Sequence, residues 1–150
     1  MNIIKTFKTE TAHIVRNAVS DRCRFNVHGH SYKWEVTISG DVKEENGMVL
    51  DFIELKPIKE FIDQFDHAMV LWSKDQKEFI EFFLTNCQRV LIMKQNTTAE
   101  NMAALIHKFT QNWLDTNHKG LYCTSVRVHE TETGCAEAIS SNLNDILVDN

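Results

Sequence analysis

Residues 23–34 read CRFNVHGHSYKW, and the chain continues as EVTIS to Ser39. From His28 onward, His28, His30, Tyr32, Trp34, Val36 and Ile38 fall on one side, and Ser31, Lys33, Glu35, Thr37 and Ser39 on the other. That is the period-two pattern of a half-buried strand over residues 28–39. His28 and His30 share the parity of the apolar side, so both point toward the protein at the strand's entrance. Two imidazoles at i and i+2 on an extended chain can hold one ion together. Cys23, just upstream, admits three readings: a further ligand, a thiolate favoured by a neighbouring cation and acting as base or nucleophile, or an inert buried thiol.

Upstream, residues 2–13 read as a first strand with partial alternation, Ile3 and Phe7 on its odd side, ending at Thr11-Ala12-His13. If strand 28–39 returns antiparallel beside it, His13 arrives next to His28 and His30. Three histidines with an open fourth position form a catalytic zinc arrangement, whereas structural sites are closed by four ligands and rich in thiolate. The plainer alternative is a set of core or surface histidines brought together by chance. Cys23 hangs in the loop of residues 14–26 that joins the two strands and must pass near any ion.

Downstream, KEENG precedes Met48-Val49-Leu50, so residues 28–50 read as a hairpin. Leu55, Ile58, Ile62 and Phe65 space as a helical face, with Pro57 near the helix start. A second helix is predicted over about 74–84 with Ser73 as its cap, then a brief strand over 89–93. The third helix carries the stripe Met102, Leu105, Ile106, Phe109 and Trp113, with Thr97 and Glu100 placed as a capping box. A last strand over 122–130 sets Tyr122, Val126, Val128 and Glu130 against Cys123, Ser125, Arg127 and His129. The order implies an α+β fold in which an antiparallel sheet is backed by helices. Two sheet edges then remain for pairing, which favours a homo-oligomer.

The bulk properties agree with one domain over residues 1–150. With 43% hydrophobic and 25% charged residues the composition is globular. A net charge of −5 argues against a nucleic-acid surface, which needs clustered Lys and Arg. No apolar run approaches a membrane span, and MNIIKTFKTET lacks the apolar core of a signal peptide, so a cytoplasmic location is expected. Four scattered cysteines without a CxxC pair suit free thiols in a reducing compartment. A small molecule or another protein is therefore the expected partner, rather than nucleic acid or membrane.

Three more features bear on chemistry. Asp66 beside His67 offers a carboxylate to orient an imidazole for proton transfer, although adjacent side chains usually point apart. Glu130 lies on the apolar side of its strand, where an unpaired carboxylate is costly to bury, so it sits at an exposed end or faces a ligand with donors. Thr97, Thr98 and Glu100 are explained as a helix start; the functional alternative is an N-terminus bordering a pocket. The cupin fold also uses HxH followed by a glutamate, and Glu35 is suitably near, but its second histidine motif has no match around the lone Pro57.

Taken in order, TAH at 11–13, Cys23 before HGHSY at 28–32, MVLDF at 48–52, FDHAMVL at 65–71, NTTAEN at 96–101 and HETETG at 129–134 resemble the 6-pyruvoyltetrahydropterin synthase family. The sequence is most similar to its bacterial 6-carboxytetrahydropterin synthase branch. The resemblance implies a T-fold, or tunnelling fold: an antiparallel sheet backed by helices and assembled into barrels, usually a hexamer with active sites at subunit interfaces. It implies Zn2+ on His13, His28 and His30, Cys23 as proton acceptor, Asp66 and His67 as a relay, and Glu130 in a pterin pocket as a catalytic or anchoring carboxylate. Thr97, Thr98 and Glu100 fall in the substrate-binding motif. The activity implied is zinc-dependent conversion of 7,8-dihydroneopterin triphosphate to 6-carboxytetrahydropterin on the route to queuosine-type deazaguanines. The alternatives are triphosphate elimination to the pyruvoyl product, or a non-catalytic pterin- and zinc-binding homologue. Against the family pattern, four residues separate Cys23 from His28, Thr97 stands where proline is common, and residues 73–86 look like an inserted helix.

Overall fold

The computed structural model describes residues 1–140. One six-stranded sheet organises them: β1 (Asn2–His13), β2 (His28–Ser39), β3 (Ala68–Trp72), β4 (Val90–Met93), β5 (Tyr122–His129) and β6 (Cys135–Ile139), in the order β4-β3-β1-β2-β5-β6. β1 and β2 pair antiparallel along their whole length, from Asn2 opposite Ser39 to His13 opposite His28. The antiparallel pairing on which the arrival of His13 beside His28 and His30 depended is therefore the one observed.

The main core lies on the side to which the even residues of β2 point. Tyr32, Trp34, Val36 and Ile38 meet Ile58 and Ile62 of α2 (Lys56–Ile62) and Met102, Ile106 and Leu114 of α4 (Ala99–Asn117). α4 places an apolar stripe on this face because its buried residues recur at helical spacing. Pro57 sits in the first turn of α2, where a missing N–H costs little. β1 contributes Phe7 and then buries three polar residues, Thr9, Thr11 and His13. Each is bonded: Trp34 Nε1 donates to Thr9 Oγ1 at 2.9 Å, and Thr11 Oγ1 donates to the Phe65 carbonyl at 2.9 Å. Satisfied in this way, polar groups can be buried without a large penalty, and they lead the strand toward His13.

Several expectations are corrected. The sheet is mixed: β3 runs parallel to β1, and β4 parallel to β3. β3 itself, AMVLW, is almost wholly buried and lacks alternation, as parallel strands covered on both faces do. Residues 48–50 form no strand. Val49 and Leu50 are buried, but their backbone follows a turn that closes through Lys43 N–H to the Met48 carbonyl. The second helix, α3 (Lys77–Asn86), starts after Gln76 rather than Ser73. Ser73 instead opens the turn after β3, its N–H donating to the Met93 carbonyl at 2.8 Å. Thr98, not Thr97, caps α4, accepting from the Asn101 N–H.

On β5 the inferred parity fails at one end. The register shifts between Thr37 and Ile38, leaving Thr124 as an extra residue, so Cys123 is buried and Tyr122 is exposed. β6, unassigned from the sequence, continues the sheet from β5. The expected joining loop between β1 and β2 contains a short helix, α1 (Asp21–Phe25), that buries none of its residues. α3 covers the opposite side of the sheet locally, where Phe79, Ile80 and Phe83 pack on Ile14, Met69 and Leu71. Among the described residues no helix is long and apolar enough to cross a membrane.

Candidate metal centre and adjoining cavity

The β1–β2 register sets His13 opposite His28 and Thr11 opposite His30. One nitrogen from each of His13, His28 and His30 lies within 4.8 Å of the others, so the three can hold a metal ion. Hydrogen bonding fixes which nitrogen is free. His13 Nδ1 is 2.8 Å from the Thr97 carbonyl and His28 Nδ1 is 3.0 Å from the Asn26 carbonyl. A carbonyl only accepts, so both Nδ1 atoms carry the proton and both Nε2 atoms keep a lone pair, the arrangement a ligating histidine needs.

Burial, the largest influence, pushes the His13 and His30 imidazoles below their ordinary value of 6.5 and keeps them neutral and able to bind metal. Glu130 closes the group: Oε1 is 3.4 Å from His13 Nε2 and 3.7 Å from His30 Nε2. With the His13 proton committed to Thr97, a lone pair there faces a carboxylate oxygen. That juxtaposition of acceptors suits a cation between or beside them, so the residues fit a metal.

Tyr32 holds Glu130 in place, its hydroxyl donating to Oε1 at 2.9 Å. Burial first, and the neighbouring carboxylate second, push the Tyr32 phenol far above its usual range, so it remains a neutral donor. Sequence reasoning placed Tyr32 only in the core. The signal for its role was its position two residues beyond His30 on the same face.

A cavity of about 380 Å³ adjoins this centre, lined by Cys23, Thr98, Glu100, Glu130, Thr131 and Cys135 among others. Four of the expected residues, Cys23, Thr98, Glu100 and Glu130, thus share one space. Thr97 does not line it. Its side chain is buried and donates to the Ile14 carbonyl at 2.7 Å, while its own carbonyl orients His13. The NTT motif is consequently a brace: Asn96 pairs with the Arg16 backbone, Thr97 with residues 13 and 14, and Thr98 with α4. Cys135 was not singled out in the sequence, because β6 was not recognised.

Asp66 and His67 stand elsewhere. His67 adopts the left-handed conformation at φ 54°, which turns its ring back onto Asp66, with Nδ1 3.0 Å from Oδ2. Adjacent side chains meet here because of that turn. The Glu10 N–H, donating to Asp66 Oδ1 at 2.8 Å, and then His67 hold the Asp66 carboxyl below the usual carboxylate range. His67 borders a second, larger cavity of about 800 Å³ with Glu10, His30, Ser31 and Arg89. Within one chain His67 and Cys23 line different cavities.

A family profile described as 6-pyruvoyl tetrahydropterin synthase matches residues 2–140. The chain belongs to that family. Within it, the chain is 37% identical over 149 residues to a 6-carboxy-5,6,7,8-tetrahydropterin synthase of Helicobacter pylori, covering 95% of this chain and 74% of that protein. It is 33% identical over 142 residues to the enzyme of the same name from Haemophilus influenzae, covering 90% and 96% of the two chains. Among solved structures, an uncharacterized protein from Wolinella succinogenes superposes with TM-score 0.76 at 20% identity over 93% of this chain and 98% of its own. The 6-pyruvoyl tetrahydropterin synthase of Caenorhabditis elegans gives 0.66 at 25% identity over 93% and 95%. These neighbours have the T-fold of the synthase family, and the mixed sheet with its helical layer shares it.

Proposed function

We propose that this protein is a zinc-dependent 6-carboxy-5,6,7,8-tetrahydropterin synthase, a carbon–carbon lyase acting in the cytoplasm. It converts 7,8-dihydroneopterin triphosphate to 6-carboxytetrahydropterin, acetaldehyde and triphosphate, in the biosynthesis of queuosine-type deazaguanines. The observation that carries this reading is the trio His13, His28 and His30 beside a cavity lined by both Cys23 and Glu130. The names of the curated relatives support the carboxy product.

His13, His28 and His30 would hold the zinc, which would supply Lewis-acid stabilisation of developing negative charge on the substrate. Cys23 accepts a carbon-bound proton from the substrate side chain. Glu130, its Oε1 held by Tyr32, accepts from the pterin's guanidine-like edge, where hydrogen bonds to a carboxylate are strong. Thr98 and Glu100 border the same cavity and bind the substrate there. Asp66 and His67 move protons during rearrangement and cleavage. Because His67 and Cys23 line different cavities in one chain, a second copy in a homohexamer brings the relay to each site.

The pyruvoyl synthase reading shares this site and the family profile's description. Incubation of the purified protein with dihydroneopterin triphosphate, with products identified by mass, separates the two. Acetaldehyde and the carboxypterin support the proposal, the pyruvoyl product supports the alternative, and zinc and pterin binding without turnover indicates a non-catalytic homologue.

A further inference from the structure

Cys23 sits on α1, a helix of five residues that buries none of them. So short a helix has no stability of its own, and without a buried face it cannot be held by apolar packing. Its position rests on polar ties to the end of β1. The Val15 N–H donates to the Cys23 carbonyl at 3.1 Å, and Arg16 Nη1 reaches the Arg24 carbonyl at 3.5 Å.

Arg16 is itself fixed from two directions. Its backbone is clasped by Asn96, whose Oδ1 accepts the Arg16 N–H at 3.2 Å and whose Nδ2 donates to the Arg16 carbonyl at 2.6 Å. Its side chain donates through Nε to Asp75 Oδ1 at 2.5 Å and lies 5.1 Å over the ring of Phe79 in α3. The Asp75 carboxylate is only 1% exposed, and its other oxygen accepts the Trp72 N–H at 3.0 Å. A carboxylate so buried is tolerable only when paired, so Asp75 needs Arg16 as much as it holds it.

We propose that Arg16 is a positioning residue for Cys23, and that Asp75, in the turn leading into α3, is its anchor. The segment of residues 73–86 then has a role: it clamps the cysteine-bearing loop onto the end of β1, beside the histidine ligands. The catalytic consequence rests on Cys23 being the proton acceptor; the positional one does not.

The test uses the full-chain protein and the variants Arg16→Met, Arg16→Lys and Asp75→Asn. Iodoacetamide labelling of each cysteine is followed by peptide mass, together with metal content and steady-state kinetics. Loss of a charge-assisted hydrogen bond shifts a local opening equilibrium about tenfold or more. Arg16→Met and Asp75→Asn should therefore label at Cys23 about tenfold faster, with metal content and labelling of buried Cys123 unchanged, and Arg16→Lys should restore part of the difference. If Cys23 is the base, kcat falls about tenfold with KM within about twofold. Unchanged Cys23 labelling in a folded variant overturns the proposal, as does an equal rise at Cys123, which reports general loosening. If Arg16→Met does not fold, Asp75→Asn decides, since its side chain still accepts from Trp72. Should Cys23→Ala keep full turnover while Arg16→Met still exposes Cys23, the catalytic role of the thiol fails and its positioning stands.

Discussion

His13 donates through Nδ1 to the carbonyl of Thr97 at 2.8 Å, and the Thr97 hydroxyl donates in turn to the carbonyl of Ile14 at 2.7 Å. Two neighbouring residues of β1 and its extension are thereby laced to one residue ahead of α4, and a buried imidazole of the candidate metal centre receives its orientation from that lacing. Thr97→Val keeps the shape but leaves the Ile14 carbonyl without this donor. The expected loss is about 1–3 kcal/mol in urea denaturation, with metal retained, since the carbonyl that orients His13 remains. Loss of metal with stability intact would mean that the hydroxyl acts on the centre directly.

The same centre makes the metal-free protein sensitive to acid. Burial lowers the pKa of His13 and His30 below the ordinary 6.5, so between those values the unfolded chain binds protons that the folded one refuses. Their contribution to stability is fully present above about pH 6.5 and declines as pH falls below it. Urea midpoints of metal-free protein from pH 7.5 to 5 should fall along this range, and His13→Asn should flatten the decline. A midpoint that rises toward pH 5 would contradict the neutral, buried assignment.

Cys23→Ala should retain zinc and lose turnover by roughly 10²–10⁴-fold, the usual worth of a positioned general base. Metal analysis and product formation on the same preparation test it. Zinc lost with the thiol would make Cys23 a ligand instead.

What the sequence made legible follows from how local each signal is. The parity of His28, His30, Tyr32 and Trp34 survives folding because a strand's alternation is set by its own backbone, and the pairing with β1 then brought His13 in. The alternation of β1 was only partial because its buried face turns polar at Thr9, Thr11 and His13, each satisfied by a partner far away in sequence. β3 was hidden for a related reason: its run AMVLW is buried on both faces, so it has no alternation to detect. The exposure of Tyr122 required a bulge at Thr124 that no local pattern encodes. Among the candidate site residues, Glu130 was flagged by the cost of burying a carboxylate, yet its partner Tyr32 looked like core. The separation of Asp66 and His67 from Cys23 is a tertiary fact, visible only once the strands are placed.

Tyr32→Phe tests that hidden partner. Removing the hydroxyl that donates to Glu130 Oε1 at 2.9 Å frees the carboxylate to swing. A hydrogen bond to a charged group is worth about 1.5–3 kcal/mol, so KM for the pterin substrate should rise roughly tenfold or more while zinc stays bound. An unchanged KM would remove Glu130 from the pterin edge.

The placement of Cys23 and His67 on different cavities predicts complementation between subunits. Cys23→Ala and His67→Ala should each be inactive as homo-oligomers. Mixed after reversible dissociation, they should regain about a quarter of the wild-type rate, the random chance that a shared site receives an intact residue from each contributor. The argument depends on exchange, so native mass measurement of mixed oligomers must accompany the assay. No recovery in demonstrably mixed oligomers would show that one chain supplies both residues, and the loop carrying Cys23 would then have to close toward His67 within the subunit.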